Sequence, residues 1–332
     1  MKTHAAKLKS TVFLMLLILL VFRSNLAING AKEGLALCLQ VVIPSIFPFL
    51  FISAVLSSNF SFRVLGPLCR ITGVPDNAQH ILILGIIGGY PIGAQAVANA
   101  KKDGIISDKC AERLLGFCNN TGPAFIFGLL GAVLEHKFAP ILLWLIHIGS
   151  ALMIGCTLPD KHAEKCEPDG IRKSNITAIL RSSVTAMSLI CGWVIIFRVL
   201  LSFLKPCVSG VLPGWLIVLM SGILELSNGC VALNTIDDPG FRFLCASIML
   251  SLGGFCVFLQ THSVTSGIKL NTYLYGKLLQ AVLSVCFSLI VVPFLYQTRL
   301  QIIPLIITVL AIIVLAFPLF KKNSSIMQTN NV

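Results

Sequence analysis

Apolar residues run almost unbroken through this chain, in stretches set apart by short polar segments. Long runs cover about 36–57, 80–99, 111–134, 138–158, 183–204, 211–235, 243–263, 278–297 and 301–320. A shorter one, TVFLMLLILLVF, follows Lys2, Lys7 and Lys9 near the start. Runs of about 20 apolar residues suit helices that cross the hydrocarbon core of a bilayer. Four are broken by polar groups: GGYPIGAQ at 88–95, NNTGP at 119–123, ELSNG at 225–229 and QTHS at 260–263. Backbone that leaves the helix at membrane depth is tolerated only where protein or a water-lined cavity meets its freed N–H and C=O groups.

Basic residues between the runs set an orientation, because cytoplasmic loops collect Lys and Arg. With Lys2, Lys7 and Lys9 inside, the first two runs cross out and back, and Arg63 and Arg70 land inside. Lys101, Lys102, Lys109 and Arg113 then belong on that same face, which predicts that 80–99 is a re-entrant hairpin with its tip at Gly88, Gly89, Tyr90 and Pro91. The runs 111–134 and 138–158 cross out and back to a basic loop, 159–182. After 183–204 crosses out, 211–235 precedes a loop with Asp237, Asp238 and one base, Arg242, and so reads as a second hairpin dipping from outside. The run 243–263 returns to Lys269 and Lys277, and 278–297 and 301–320 complete about eight full crossings, with both termini cytoplasmic. The first run reads as an uncleaved span in which Arg23 snorkels, with cleavage after Ala27 as the alternative.

The order run, hairpin, interrupted run, run occurs at 36–158 and again at 183–297, and three crossings per copy turn the second upside down. Gly116-Phe117-Cys118 and Gly254-Phe255-Cys256 echo one another inside the two interrupted runs. The expected fold is an all-α polytopic membrane protein of two inverted-topology repeats with re-entrant hairpins and interrupted helices, as recurs in secondary transporters. Its parts are an N-terminal anchor (1–30), repeat 1 (31–158), the basic cytoplasmic loop (159–182), repeat 2 (183–297) and a C-terminal helix with a cytoplasmic tail (298–332).

Composition agrees: 56% of residues are hydrophobic and 11% charged, and the mean hydropathy is +0.91. The net charge of +12 reads as membrane topology and not as a nucleic-acid surface, since the bases lie between apolar runs. Twelve cysteines without a CxxC pair indicate neither a zinc site nor a disulfide framework. No Walker loop, HExxH or GxSxG occurs, and Asp237 and Asp238 lie in a loop. No enzyme, cofactor or metal is expected.

The polar breaks are the candidate site. Gly122 and Pro123 stop one helix and start another, leaving free N–H groups at a positive helix end. Asn119, Asn120 and Thr121 add donors and acceptors suited to a polar solute. Glu225 is a lone carboxylate in an apolar stretch, which by default marks a proton, cation or ligand site. Tyr90, Pro91, Gly93, Gln95, Ser227, Asn228 and Gln260 complete the set. Bland readings stand beside these. Gly85, Gly88 and Gly93 serve equally for close helix approach, His262 suits a satisfied core histidine, His147 a wall residue, and Arg198 a snorkelling base. Membrane lipids are the certain partners, with a coupling cation or proton and a homo-oligomer left open.

The segments AKEGLALCLQVVIPSIFPFLFISAVL and GGYPIGAQAVANAKKDGIISDKCAERLLGFCNNTGPAFIFG resemble the YlbJ type of sporulation integral membrane protein, in the nucleoside-recognition or Gate-domain superfamily. ELSNG and LGGFCVFLQTHS resemble its second-half motifs over a likeness spanning roughly 30–300. The histidine in QTHS departs from the more apolar segment expected there. The resemblance implies a membrane protein of endospore-forming Firmicutes, distantly related to concentrative nucleoside transporters and to the gate regions of ferrous-iron transporters, with no known substrate. Two functions follow as expectations: a permease-like protein for a small polar solute, nucleoside-like or a related metabolite, or a non-transporting component needed for the spore envelope.

Overall fold

The computed structural model describes residues 11, 14–59, 65–158 and 175–297. The run 301–320, the C-terminal tail and residues 159–174 of the basic loop lie outside them. The described residues form an all-helical membrane protein. Five helical segments are long and apolar enough to cross a membrane: Ser24–Ile52, Ala139–Thr157, Ile176–Val208, Pro239–Val264 and Asn271–Tyr296.

The helix of the first run ends at Arg23, whose backbone is not helical (φ −122°, ψ 42°), and residue 30, expected as a boundary, lies inside the next helix. Helix α1 (Ser24–Leu37) passes through a π turn at Cys38–Val42 straight into α2 (Ile43–Asn59). The π turn has a local cause. Pro44 has no N–H to offer the Gln40 carbonyl, and the Ile43 N–H reaches back five residues to the Cys38 carbonyl. Lys32 and Glu33 therefore sit within a helix and not in a loop. Gly30 and Gly34, one turn apart, let this helix lie against the backbone of Val199 and Ile195 in α9 (Ile176–Val208), an approach that a side chain would block. Helix α9 begins at Ile176, capped by Asn175, so 176–182 is helix and not loop.

After the short α3 (Gly66–Thr72), the stretch 80–99 forms a hairpin of α4 (Gln79–Ile87) and α5 (Ile92–Lys102), with its turn at Gly88–Pro91. Nine and eleven residues reach about 13 and 16 Å, well short of the roughly 30 Å core. The run 111–134 is split into α6 (Asp108–Leu115) and α7 (Pro123–Phe125, continued as a π turn at Ile126–Leu130), and NNTGP lies in the gap. Helix α8 (Ala139–Thr157) follows.

The second half repeats this order. Helices α10 (Gly214–Leu224) and α11 (Leu226–Ala232) form a hairpin that turns at Glu225. An interrupted helix, α12 (Pro239–Leu252) and α13 (Gly254–Val264), leads into the long α14 (Asn271–Tyr296). Its break is at Gly253 and Gly254, both at positive φ (72° and 78°), and not at QTHS, which is ordinary helix in α13. Two adjacent left-handed residues interrupt the helix, and glycine bears this without strain. His262, read as a core residue, faces outward from that helix. Helix α14 starts at Asn271, so Lys277 belongs to a span and not to a loop.

The first interrupted helix packs on the last helix of the other half, α6 on α14, whereas α12 packs chiefly on α14 of its own half and less on α8. In each half the hairpin is seated on the break by glycine. Gly85 and Gly93, on opposite arms of the first hairpin, both touch the Cys118 carbonyl; in the second, Gly222 meets Gly229, and the Gly222 carbonyl lies against Gly254. Across the middle, Ser150 of α8, Ser251 of α12 and Ser284 of α14 are joined at 2.8 and 3.2 Å, with Ser247 and Ser288 one turn along at 2.9 Å. With no hydrophobic gain to be had between helices in lipid, small residues and such hydroxyl bonds supply the contact.

Gly93→Val drives its side chain into the Cys118 carbonyl, an overpacking worth about 1–3 kcal/mol or more. Its membrane abundance is expected to fall several-fold. Gly149→Ala, which meets nothing within 4 Å, leaves abundance unchanged. Quantitative immunoblotting of membranes checks the pair.

Candidate functional site

The two hairpin tips and the two interrupted helices converge on one cavity of about 50 Å³. Gly88, Gly89 and Tyr90 come from the first tip, Thr121 and Gly122 from the first break, Glu225 and Ser227 from the second tip, and Gln260 from α13, while Ser45, Ile190 and Val194 complete the wall. Tyr90, Thr121, Gly122, Glu225, Ser227 and Gln260, drawn from four separate stretches of sequence, therefore share one space.

Glu225 is buried and its backbone is extended (φ −145°, ψ 116°), which separates α10 from α11. Its carboxylate caps the helix it begins: Oε1 accepts from the Ser227 N–H at 3.1 Å and Oε2 from the Asn228 N–H at 2.7 Å. Two backbone donors satisfy part of its acceptor capacity, and the positive end of α11 favours its negative charge. Asn228 does not line the cavity. Its Oδ1 accepts from Arg198 Nη1 at 2.7 Å, and Arg198 Nε donates to Glu33 at 2.9 Å. Arg198 is thus a half-buried link from Glu33 to the turn after Glu225, not a base reaching for water.

Asn119 and Asn120 turn away from the cavity. Asn119 Oδ1 accepts from the Ala94 N–H at 3.2 Å and its Nδ2 donates to Thr261 Oγ1 at 2.9 Å, tying the first break to α5 and α13. Asn120 Nδ2 donates to the Phe117 carbonyl at 2.7 Å and the Gly85 carbonyl at 3.3 Å. Its Oδ1 accepts from Gln280 Nε2 at 3.1 Å and Lys277 Nζ at 3.3 Å. Pro91 and Gly93 frame the first hairpin, and Gln95 is half-buried elsewhere, donating to Asn99 at 3.1 Å.

Behind the cavity wall lies a network that the run pattern hides. Lys277 is fully buried; its ammonium donates to Gln280 Oε1 at 2.7 Å and sits over the Tyr90 ring at 5.1 Å. Gln280 Nε2 donates to the His147 carbonyl at 2.9 Å, and His147 Nε2 accepts from the Thr121 N–H at 3.0 Å. His147 is therefore a partner of the freed backbone and not a wall residue. The signal was present in α14: Lys277, Gln280, Ser284 and Ser288 fall three or four residues apart, a polar stripe along one face of an apolar helix.

Gln280→Leu removes an acceptor from Lys277 and a donor from both Asn120 Oδ1 and the His147 carbonyl, so it should destabilise by about 2–3 kcal/mol. Lys277→Met removes the buried charge and leaves Gln280 bonded to Asn120, a milder change of about 1 kcal/mol in either direction. The apparent Tm of the detergent-purified variants tests this order, and an equal loss in both would contradict it.

Comparison with known proteins places this architecture beside a sporulation protein. No family model and no solved structure matches the chain. It is 27% identical to the sporulation integral membrane protein YlbJ of Bacillus subtilis over 338 aligned positions, covering 86% of this chain and 83% of that protein. The YlbJ-type resemblance carried by the hairpin and break motifs thus extends along most of a multi-pass membrane chain.

Proposed function

We propose that this protein works in sporulation as a permease-like membrane protein that passes a small polar solute, nucleoside-like or a related metabolite, through the cavity where the hairpin tips meet. The observation that carries this is Glu225: a buried carboxylate at a helix break that shares a largely apolar cavity with Tyr90, Thr121 and Gln260. Intramembrane carboxylates are costly and cluster on solute and ion paths. The sporulation role rests on the likeness to YlbJ. The repeated element order supports two copies, and the basic residues flanking the first hairpin support opposite orientations. In that arrangement the tip at Gly88–Pro91 dips from the cytoplasmic face, the Glu225 tip dips from the other, and the termini are cytoplasmic. The coupling species is a proton or a cation taken at Glu225.

One observation favours the alternative of a non-transporting envelope component. The cavity is small, and Asn119, Asn120 and His147 are spent on internal bonds, as a purely structural core would have them.

Two substitutions separate the readings, scored by complementation of a null strain with membrane abundance measured in parallel. Glu225→Gln should fold and lose at least tenfold in complementation. Glu225→Leu should also fail at normal abundance, whereas full complementation would remove Glu225 from the mechanism, because a merely buried carboxylate is replaceable by apolar volume. Orientation is tested separately. A cysteine replacing Lys102 should resist an impermeant thiol reagent added outside intact cells, and strong labelling there would overturn the inverted arrangement.

A further inference from the structure

A second space lies one helical turn from the cavity. It is an open groove of about 750 Å³ lined by Gln95 of α5, Asn175, Arg181, Ser182 and Thr185 of α9, and Ser263 of α13. Two helices carry both spaces. On α13, Gln260 faces the cavity and Ser263 the groove, with the Ser263 hydroxyl donating to the Gln260 carbonyl at 2.7 Å. On α9, Leu189 borders the groove and its neighbour Ile190 the cavity. Buried Ile190 and Gln260, each next to a groove-lining residue on its helix, stand between the two spaces.

The sizes are complementary in an informative way. A volume of 50 Å³ admits a water or two, whereas 750 Å³ falls in the range of about 300–1,000 Å³ usual for small-molecule sites. The groove's chemistry is also one-sided. Amides and hydroxyls from Gln95, Asn175, Ser182, Thr185 and Ser263 line it beside apolar surface, Arg181 supplies a positive charge, and none of its described lining residues is acidic. A single base in a partly enclosed mouth raises the local concentration of anions and lowers that of cations.

We propose that this groove is the mouth and first binding subsite of the central cavity, entered by a small polar solute that is neutral or singly anionic. The solute then passes between α9 and α13 by displacement of the Ile190–Gln260 layer. This rests on the permease reading above and adds a route, a side of entry and a charge class. It also gives Gln95 a place: the residue lies outside the cavity yet lines the path to it.

The test needs no knowledge of the solute. In a background without native cysteines, S263C and T185C in membranes are treated with a small anionic methanethiosulfonate, its cationic counterpart of like size, and a lipophilic maleimide. Both water-soluble reagents should react, the anionic one at least threefold faster, and Arg181→Glu should reverse that preference. Reaction with the lipophilic reagent alone would show a groove filled by lipid and overturn the proposal. A second arm uses the otherwise native chain: Ser263→Trp should cut complementation at least tenfold at normal membrane abundance, with Ser188→Trp, at an exposed serine of α9 outside the groove, unaffected. If Ser263→Trp complements fully while Glu225→Leu does not, the route is wrong and the cavity reading stands. If both complement fully, both fall.

Discussion

Everything in this fold depends on how the freed backbone at the first break is satisfied, and the Asn120 side chain is the centre of that solution. A peptide group left unbonded in hydrocarbon costs several kcal/mol. Asn120 gives both of its amide hydrogens to carbonyls, one in the break and one in the hairpin, and takes hydrogen bonds from two side chains of α14. One amide therefore holds three elements in register. Thr121 extends the arrangement, since its N–H is met by His147 of α8. The breaks are stable because neighbouring helices were built to receive them.

The second break is handled differently. Gly253 and Gly254 turn the chain by backbone conformation, and the partner of the second tip is a charge, Glu225, which caps its own helix. The first half thus uses amides and the second a carboxylate and glycines, although the order of elements is the same. This asymmetry leaves the carboxylate, not the asparagines, on the cavity. A group whose bonds are all internal contributes rigidity, while one with capacity to spare can meet something that arrives from outside.

How much of this was legible in the sequence depends on the kind of signal. Hairpins were legible because polar and helix-breaking residues interrupt runs of apolar ones, and 88–91 and 225 are where the chain turns. Six of the candidate residues share the cavity because breaks at equivalent depth must converge if they are to be covered. The direction of a side chain was not legible: Asn119 and Asn120 belong to the same stretch as Thr121 yet face the opposite way, which only tertiary packing decides. Charge counting failed at Lys277 for a related reason. It treats each charge as evidence of water, whereas Lys277 is held by amide oxygens and aromatic rings. Glycine at 253 and 254 was visible but less conspicuous than QTHS, whose polar residues divide between the two sides of an unbroken helix.

The buried guanidinium groups bear on how such a chain assembles. Arg113 donates to the carbonyls of Thr72, Gly73 and Gly155, all within the first half. Arg242 donates to the carbonyls of Ile236 and Val133 and to Glu135, so the end of the first interrupted helix is fastened from the second half, 109 residues later in the chain. Until the second half is made, the Val133 carbonyl lacks this donor, so the closing bond of the first interrupted helix is one that only the later half can supply.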